Sequence, residues 1–426
     1  MRICIIGAGF TGLGVAYYLS KEHDITLIDS EKNAGGLAQG FKADGWNWYL
    51  DKLVHHWFAT DEHALELVRN VGMGDRIILR ETKSSCFKDG KIAELDSALS
   101  LLKFPFLNFF NRLRTGAVMA YFRTQSNWKK YENETSYDLL KKLMGKESFE
   151  VIWKPLFEGK FGKYADKVNG AFIWARINPR TKKLAYVKGG FQEFIDKIVV
   201  KLKEKGVKII LNKRVDKIER KGEKFIVDMG KKEEFDIVVA AIPLQKMLKI
   251  TNGFPESYCQ EMMKLKSLSC QYLILETEKS IIGDSYWLNI NENGFPFMLL
   301  AEHTNFAGRK NYGNKCLTYV GKYLEKEDAL SKLSKEELLE KAEPFLKKIN
   351  NGFSIKDVKR SWLFRFDDAQ PILPLGYSKI MPSIKTPIKG LYSGNMNHIY
   401  PWDRGTNNAL EIAKRIVKSI EKDYSP

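Results

Sequence analysis

The stretch RICIIGAGFTGLGVAYYLSKEHDITLIDS, residues 2–30, constrains the fold more tightly than any other part of the chain. An apolar strand over 3–6 runs into Gly7, Gly9 and Gly12 as G-x-G-x-x-G, a helix follows to about Ser20, and a second strand over 25–28 ends in Asp29. Each residue type has a physical task in that order. Gly7 makes the tight turn, Gly9 lets backbone approach a pyrophosphate, and Gly12 lets the helix pack on the strand. The helix N-terminus then offers free N–H groups and a partial positive charge to phosphates. Asp29 stands 22 positions after Gly7, near the spacing at which a carboxylate accepts hydrogen bonds from ribose hydroxyls. Strand, helix and acid together predict a βαβ unit that binds a dinucleotide. A glycine turn in another kind of α/β protein has no use for Asp29.

At 426 residues and 44% hydrophobic, the chain exceeds what one average domain needs, and two lobes are expected. Only Arg2 precedes the first apolar strand, so neither a signal peptide nor a membrane span is expected. The five cysteines show no CxxC spacing and the histidines are scattered apart from His55 and His56, which fits a reducing cytoplasm and no metal site. A net charge of +17 is compatible with nucleic acid, an anionic membrane surface or an acidic substrate. Stretches such as KLKEKGVKIILNKRVDKIERKGEKF mix both signs as a solvated surface does, and no repeat, zinc-finger spacing or RNP-like motif occurs. The expected partner is therefore a small-molecule substrate, with no nucleic acid, in a monomer or homodimer.

Beyond Asp29, the pair Gly35 and Gly36 in EKNAGGLAQGF suggests backbone pressed against a second part of the same ligand. Gly189 and Gly190 open a further helix, a strand is expected over 207–211, KFIVDM and FDIVVAAIP supply two more, and Pro243 ends the last. Helical periodicity dominates the reading of 75–186. After Pro243, SLSCQYLILETEKS, KCLTYVGKYL and KDVKRSWLFRF read as strands, and SKEELLEKAEPFLKKIN as a helix with Ser334 and Glu337 as its capping box.

This order of motifs resembles the FAD-containing amine oxidase superfamily, which includes protoporphyrinogen oxidases and phytoene desaturases. The resemblance implies an α/β fold: a Rossmann-type FAD-binding lobe assembled from 1–74, 187–248 and 376–426, with a second, α+β substrate lobe. Residues 75–186 would be a helical cap and 249–375 a sheet with one helix; DDAQPILPLGY resembles the A-x-P stretch before the last strand. FAD contacts are implied for Gly7, Gly9, Gly12, Asp29, Gly35 and Gly36, for the backbone at Val215, and for Gly394, Asn395, Gly405, Thr406 and Asn407 in the closing segment SGNMNHIYPWDRGTNN. The closing helix would bring its N-terminus to the pyrimidine end of the flavin. Two departures stand out: Asp29 where Glu is commoner, and Leu37 where Arg is commoner.

Catalytic roles are implied for Arg404, as a cation or an anchor for an anionic substrate, for Tyr400 as a ring-side wall with Trp402, and for His56 beside the ring. Asp51, His55 and His56 lie in a D-x-G-x-H-like stretch that lacks its glycine. Asp403 could orient Arg404. Glu302 and His303 are expected at the surface or in a cap, with the cavity as the alternative. The implied reaction is hydride transfer from a porphyrinogen, polyene or amine to flavin N5. The rival is a non-redox flavoenzyme resembling UDP-galactopyranose mutase, acting on a sugar nucleotide. Residues 101–122, LLKFPFLNFFNRLRTGAVMAYF, mix aromatic with basic side chains and leave two readings, peripheral membrane contact or core.

Overall fold

The computed structural model describes residues 1–424. Its organising element is a five-stranded parallel sheet in the order Lys208–Ile210, Asp24–Ile28, Arg2–Ile6, Ile237–Ala240, Leu391–Ser393. Buried on both faces, the inner strands are near-continuous apolar runs such as ICII and IVVA. Three distant chain segments thus meet in one sheet, and the last strand delivers the chain to the helix Thr406–Tyr424.

That helix buries Leu410, Ile412, Ala413, Ile416, Val417 and Ile420 and packs on the first helix, Phe10–Leu19. Close approach requires glycine at the crossing. A Cβ on Gly14 would lie 2.8 Å from the Ala413 methyl, and one on Gly394 would lie 2.5 Å from Ile416 Cδ1 and 3.0 Å from Thr11 Cγ2. Thr11 Oγ1 donates to the Ala409 carbonyl at 3.3 Å. Since a helix rises about 1.5 Å per residue, Thr406 lies within one turn of this contact. The N-termini of the first and last helices therefore converge.

The second lobe is built on a seven-stranded sheet in the order Val358–Pro371, Ser267–Thr277, Cys316–Leu324, Leu299–Glu302, Trp287–Ile290, Ser84–Lys88, Lys91–Glu94. Its last two members qualify the expectation of a helical cap over 75–186, which holds strands as well as helices. Ile77–Glu81, Ser84–Lys88 and Lys91–Glu94 are strands, and helix begins only at Ala98–Leu102. The reason is local: Asp89 and Gly90 both take positive φ, 49° and 71°, the conformation a two-residue hairpin turn of matching twist demands. Lys183–Val187 is also a strand, pairing with Trp57–Phe58 and Ile77–Glu81 in a small sheet. The cap helices follow: Phe109–Thr124, Ser136–Met144, Lys154–Phe161 and Gly170–Ile177.

Helix Lys335–Ile349 begins with the anticipated capping box: the Glu337 N–H donates to Ser334 Oγ at 3.1 Å, and the Ser334 N–H to Glu337 Oε2 at 2.7 Å. Ser334→Ala is expected to cost about 1 kcal/mol, read as a lowered urea midpoint at unchanged m-value.

Candidate functional site

At the sheet's carboxyl end, the glycine turn is fixed by contacts with protein. Gly7 has φ 105°, and a Cβ there would lie 2.4 Å from the Ala241 carbonyl oxygen; one on Gly12 would lie 1.8 Å from the Gly7 carbonyl oxygen. Gly9 differs, because nothing but Gly36 Cα, at 4.0 Å, approaches its missing Cβ. Gly35 donates its N–H to the Ala8 carbonyl at 2.8 Å, and a Cβ on Gly36 would lie 3.2 Å from Gly9 Cα, so the two glycine loops pack backbone to backbone with no side chain at Gly9 or Gly36.

Asp29 is partly exposed. Its Oδ2 accepts the Ala8 N–H at 2.6 Å and its Oδ1 the Glu31 N–H at 2.7 Å. Each oxygen retains a lone pair for a further donor. Lys213 donates its N–H to the Asp29 carbonyl at 2.9 Å and Asn212 to that of Glu31 at 2.8 Å, which sets the turn leading to buried Val215 beside Asp29. Bare glycine backbone, helix N-terminus and spare carboxylate acceptors form a donor and acceptor set that fits a dinucleotide diphosphate and ribose.

At the other end, Thr406 Oγ1 accepts from Trp57 Nε1 at 2.6 Å, and Asn407 Oδ1 accepts the Ala64 N–H at 3.1 Å. These side chains tie the closing helix to the nucleotide lobe, and the first-turn N–H groups are left as helices leave them. Gly405 is sterically open, with Asn408 Nδ2 at 3.6 Å from where a Cβ would stand. Asn395 donates its N–H to His398 Nδ1 at 3.2 Å, and the other ring nitrogen of His398 faces the Ser383 carbonyl at 3.3 Å. Burial pulls His398 down to about 4, so it is neutral and serves as a turn brace.

Beside the closing segment lies a small recess of about 10 Å³ lined by Gln370, Leu373, Met396, Tyr400, Trp402 and Arg404, with Pro371 and Ile399. The long strand Val358–Pro371 contributes Gln370 and Pro371, the pair within the stretch that resembled A-x-P. Gln370 Oε1 and the Tyr400 hydroxyl are buried there without a protein hydrogen-bond partner among the described residues, an expensive state that a polar group bound in the recess would relieve. Tyr400 packs edge-on to Trp128 at 5.1 Å, and Trp402 lies over Trp174 at 5.1 Å.

Arg404 reaches across to the second lobe, donating through Nε to the Tyr323 hydroxyl with its guanidinium 5.3 Å from that ring. Asp403 accepts from Lys160 Nζ at 2.9 and 3.0 Å, from Arg176 Nη1 at 2.6 Å and from the Arg404 N–H at 3.0 Å. Three cations thus gather around one carboxylate. Burial is the largest influence on Lys160; opposed by Asp403 and assisted by Arg176 and Arg404, it brings the ammonium down to about 7. For Asp403, burial raises the carboxyl, but Lys160 and Arg176 outweigh it and hold it well below the usual range. Sequence reasoning missed Lys160 and Arg176. One signal existed: Lys160 stands between Phe157 and Phe161 on the buried face of its helix.

His56 sits apart from the recess lining, its Nδ1 2.9 Å from the Tyr286 hydroxyl and its ring among Phe58, Tyr286 and Trp287. Burial, then the Arg180 and Arg404 charges, pull it down to about 3. Burial, then Arg404, does the same to His55, whose Nδ1–H donates to the Leu53 carbonyl at 2.5 Å. Both are neutral. Asp51 is fully buried as a pin between segments, accepting from the Tyr186 hydroxyl at 2.8 Å and the Phe191 N–H at 3.3 Å. Burial holds its carboxyl well above the usual range. The surface expectation for Glu302 and His303 is corrected: both are fully buried. Glu302 accepts from the Leu317 N–H at 2.9 Å and the Thr318 hydroxyl at 2.7 Å, so it caps strand ends from inside. No group of three His, Cys, Asp or Glu side chains that could hold a metal occurs among the described residues.

A family model described as flavin containing amine oxidoreductase matches residues 10–411. Coproporphyrinogen III oxidase of Staphylococcus aureus is 24% identical over 292 residues, 58% of this chain; the chain spans only 61% of that enzyme's length. Two solved structures share the fold at low identity. One, from Exiguobacterium sp., is provisionally assigned as a protoporphyrinogen oxidase: TM-score 0.78, 16% identity, 99% of each chain. The other is a reduced UDP-galactopyranose mutase: TM-score 0.78, 14% identity, 100% of this chain and 96% of that one. A match running from the first helix to the last includes both converging helix N-termini, and the chain belongs to the flavin-containing amine oxidoreductase family.

Proposed function

We propose that the chain is an FAD-dependent oxidoreductase whose substrate carries anionic groups, with carboxylated porphyrinogens the class that fits best. FAD is favoured over a smaller flavin because the bare Gly9 and Gly36 backbone, Asp29 and the Val215 turn suit an ADP half. Gly7, Gly12 and Gly35 shape that surface. Gly394 and Asn395 lead the chain to Gly405, Thr406 and Asn407, whose N–H groups would hold the far end. When bound, the flavin supplies the hydride acceptor, N5, for a substrate C–H or N–H bond.

The observation that carries the substrate reading is charge. Lys160, Arg176 and Arg404 surround the single carboxylate of Asp403. Beside the recess this leaves an excess of positive charge that a substrate carboxylate would neutralise. The Arg404 terminal nitrogens, free of protein acceptors among the described residues, suit a bidentate carboxylate. Tyr400 and Trp402 wall the recess, and neutral His56 braces Tyr286 behind it. The likeness to coproporphyrinogen III oxidase supports the same class. The mutase reading has a fold likeness behind it and requires activity only with prereduced flavin.

The test is anaerobic flavin reduction by coproporphyrinogen and by its methyl ester. The free acid is expected to reduce the flavin and the ester to do so poorly, with acid affinity falling as pH rises through about 7 and Lys160 loses its proton. Arg404→Met should raise KM for the acid roughly 30-fold, about 2 kcal/mol, with flavin content unchanged. Equal reduction by acid and ester would contradict the charge reading; reduction by neither would contradict the substrate class.

A further inference from the structure

The segment that left two readings in the sequence divides cleanly in the structure. Leu101, Phe104, Leu107 and Phe122 are buried and anchor the helices Ala98–Leu102 and Phe109–Thr124 to the cap. Leu99 is 62% exposed, Leu102 44%, Phe109 58%, Phe110 79% and Leu113 46%. Of the thirteen large hydrophobic side chains exposed anywhere on the described residues, five fall between 99 and 113. Single exposed apolar residues are ordinary, whereas a cluster at one tip marks a surface that meets something.

Charge identifies the occupant. Arg112 donates through Nε to the Leu107 carbonyl at 2.7 Å and through Nη1 to that of Leu102 at 2.8 Å. Arg114 donates to the carbonyls of Leu143 at 2.7 Å and Lys142 at 2.8 Å. These acceptors are neutral, so both guanidinium charges remain uncompensated. The Arg114 contact brings Lys142 and Lys146, both exposed, beside the tip, and Lys103 lies between the two helices; Lys142 also meets Glu134 at 3.6 Å, an exposed pair too weak to hold it from a lipid phosphate. A nearby carboxylate, Glu147, accepts from Asn108 Nδ2 at 2.7 Å and Asn111 Nδ2 at 2.6 Å at the start of the longer helix; it keeps its charge and is outnumbered by the basic side chains around the tip. A second copy docked on this tip would set two basic collars face to face, which disfavours self-association. No helix among the described residues is long and apolar enough to cross a membrane.

We propose that the tip formed by Leu99, Leu102, Phe109, Phe110 and Leu113 inserts into the headgroup region of an anionic lipid bilayer, with Lys103, Arg114, Lys142 and Lys146 on the lipid phosphates. Apolar insertion and basic attraction act together at such surfaces, and neither alone holds a protein firmly. This rests on exposure and charge, and is independent of the cofactor and substrate.

The experiment is cosedimentation of the full-length protein with phosphatidylcholine vesicles, with and without phosphatidylglycerol. Wild type is expected to bind the anionic vesicles and to release in about 0.5 M salt, where charges are screened beyond a few ångströms. Phe109→Ser with Phe110→Ser should lower partitioning at least about 10-fold. Lys142→Glu with Lys146→Glu should lower it on anionic vesicles only, and both pairs should keep the wild-type melting temperature. Wild type remaining in the supernatant with every vesicle, or the Phe pair binding like wild type, would overturn the proposal. So would dimerisation without lipid that the Phe pair abolishes.

Discussion

Gly12→Ala is expected to cost more than about 3 kcal/mol and to yield protein stripped of flavin. The added methyl would sit 1.8 Å from the Gly7 carbonyl oxygen and 3.0 Å from its carbon. Neither side can yield cheaply. Gly7 donates its N–H to the Ile28 carbonyl at 2.7 Å and is itself pressed against the Ala241 carbonyl, so the first helix must move instead. Such a shift carries its N-terminal N–H groups out of line with the bare backbone of Gly9 and Gly36. The readouts are the urea midpoint and the flavin-to-protein absorbance ratio. Gly116→Ala is the control, also within a helix but with only Leu101 Cδ2 at 3.5 Å from its added carbon. There the better helix propensity of alanine should stabilise by about 0.5–1 kcal/mol. Opposite signs from one substitution in two helices are the expectation; a wild-type midpoint with full flavin in Gly12→Ala would refute the packing account.

Asp403→Ala should be the second most damaging change, at about 3–5 kcal/mol near neutral pH, because it strands a buried cation. Lys160, with its side chain 8% exposed, would face Arg176 and Arg404 with no counter-charge. Two titrations give the effect a pH signature. The Asp403 carboxyl is held below its unfolded value, so the stability it confers is present above about 4 and is lost as pH falls further. The Lys160 ammonium is lowered from 10.5 to about 7. The unfolded chain therefore binds more protons across that window, and wild-type stability gains a rising contribution from pH 7 upward. Without Asp403 the lysine titrates lower still, and the rise begins below neutrality. Adding Lys160→Met to Asp403→Ala should recover at least about half of the loss, since the stranded charge is removed with its partner. Equal stability of wild type and Asp403→Ala across the acid and neutral range would show the cluster to be solvated.

Much of this molecule is written locally. The glycine turn, its strands and Asp29 follow from spacing, because each position answers to a steric or hydrogen-bonding demand within a few residues. The capping box at Ser334 and Glu337 is legible for the same reason. What escaped the sequence is what depends on partners far along the chain. Asp403 meets Lys160 and Arg176 from 243 and 227 positions away, a pairing no local pattern announces. The aromatic run at 101–122 offers the same residue types to core and solvent, and only the packing separates Phe104 from Phe110. Glu302, read beside His303 as a surface or cap residue, is an acceptor for strand ends from the interior. The Asp89 and Gly90 hairpin was local and legible, yet the helical periodicity after it drew the reading the wrong way.

The proposal that the two helix N-termini converge on one extended dinucleotide is tested most directly by titrating flavin-depleted protein with FAD and with FMN, followed by flavin fluorescence. FAD should bind stoichiometrically and at least about 100-fold more tightly than FMN, a difference of about 2.7 kcal/mol, because on that proposal the adenosine side would engage the Gly9 backbone, Asp29 and the turn at Val215. Equal affinity for FMN, or no binding of either flavin, would contradict it.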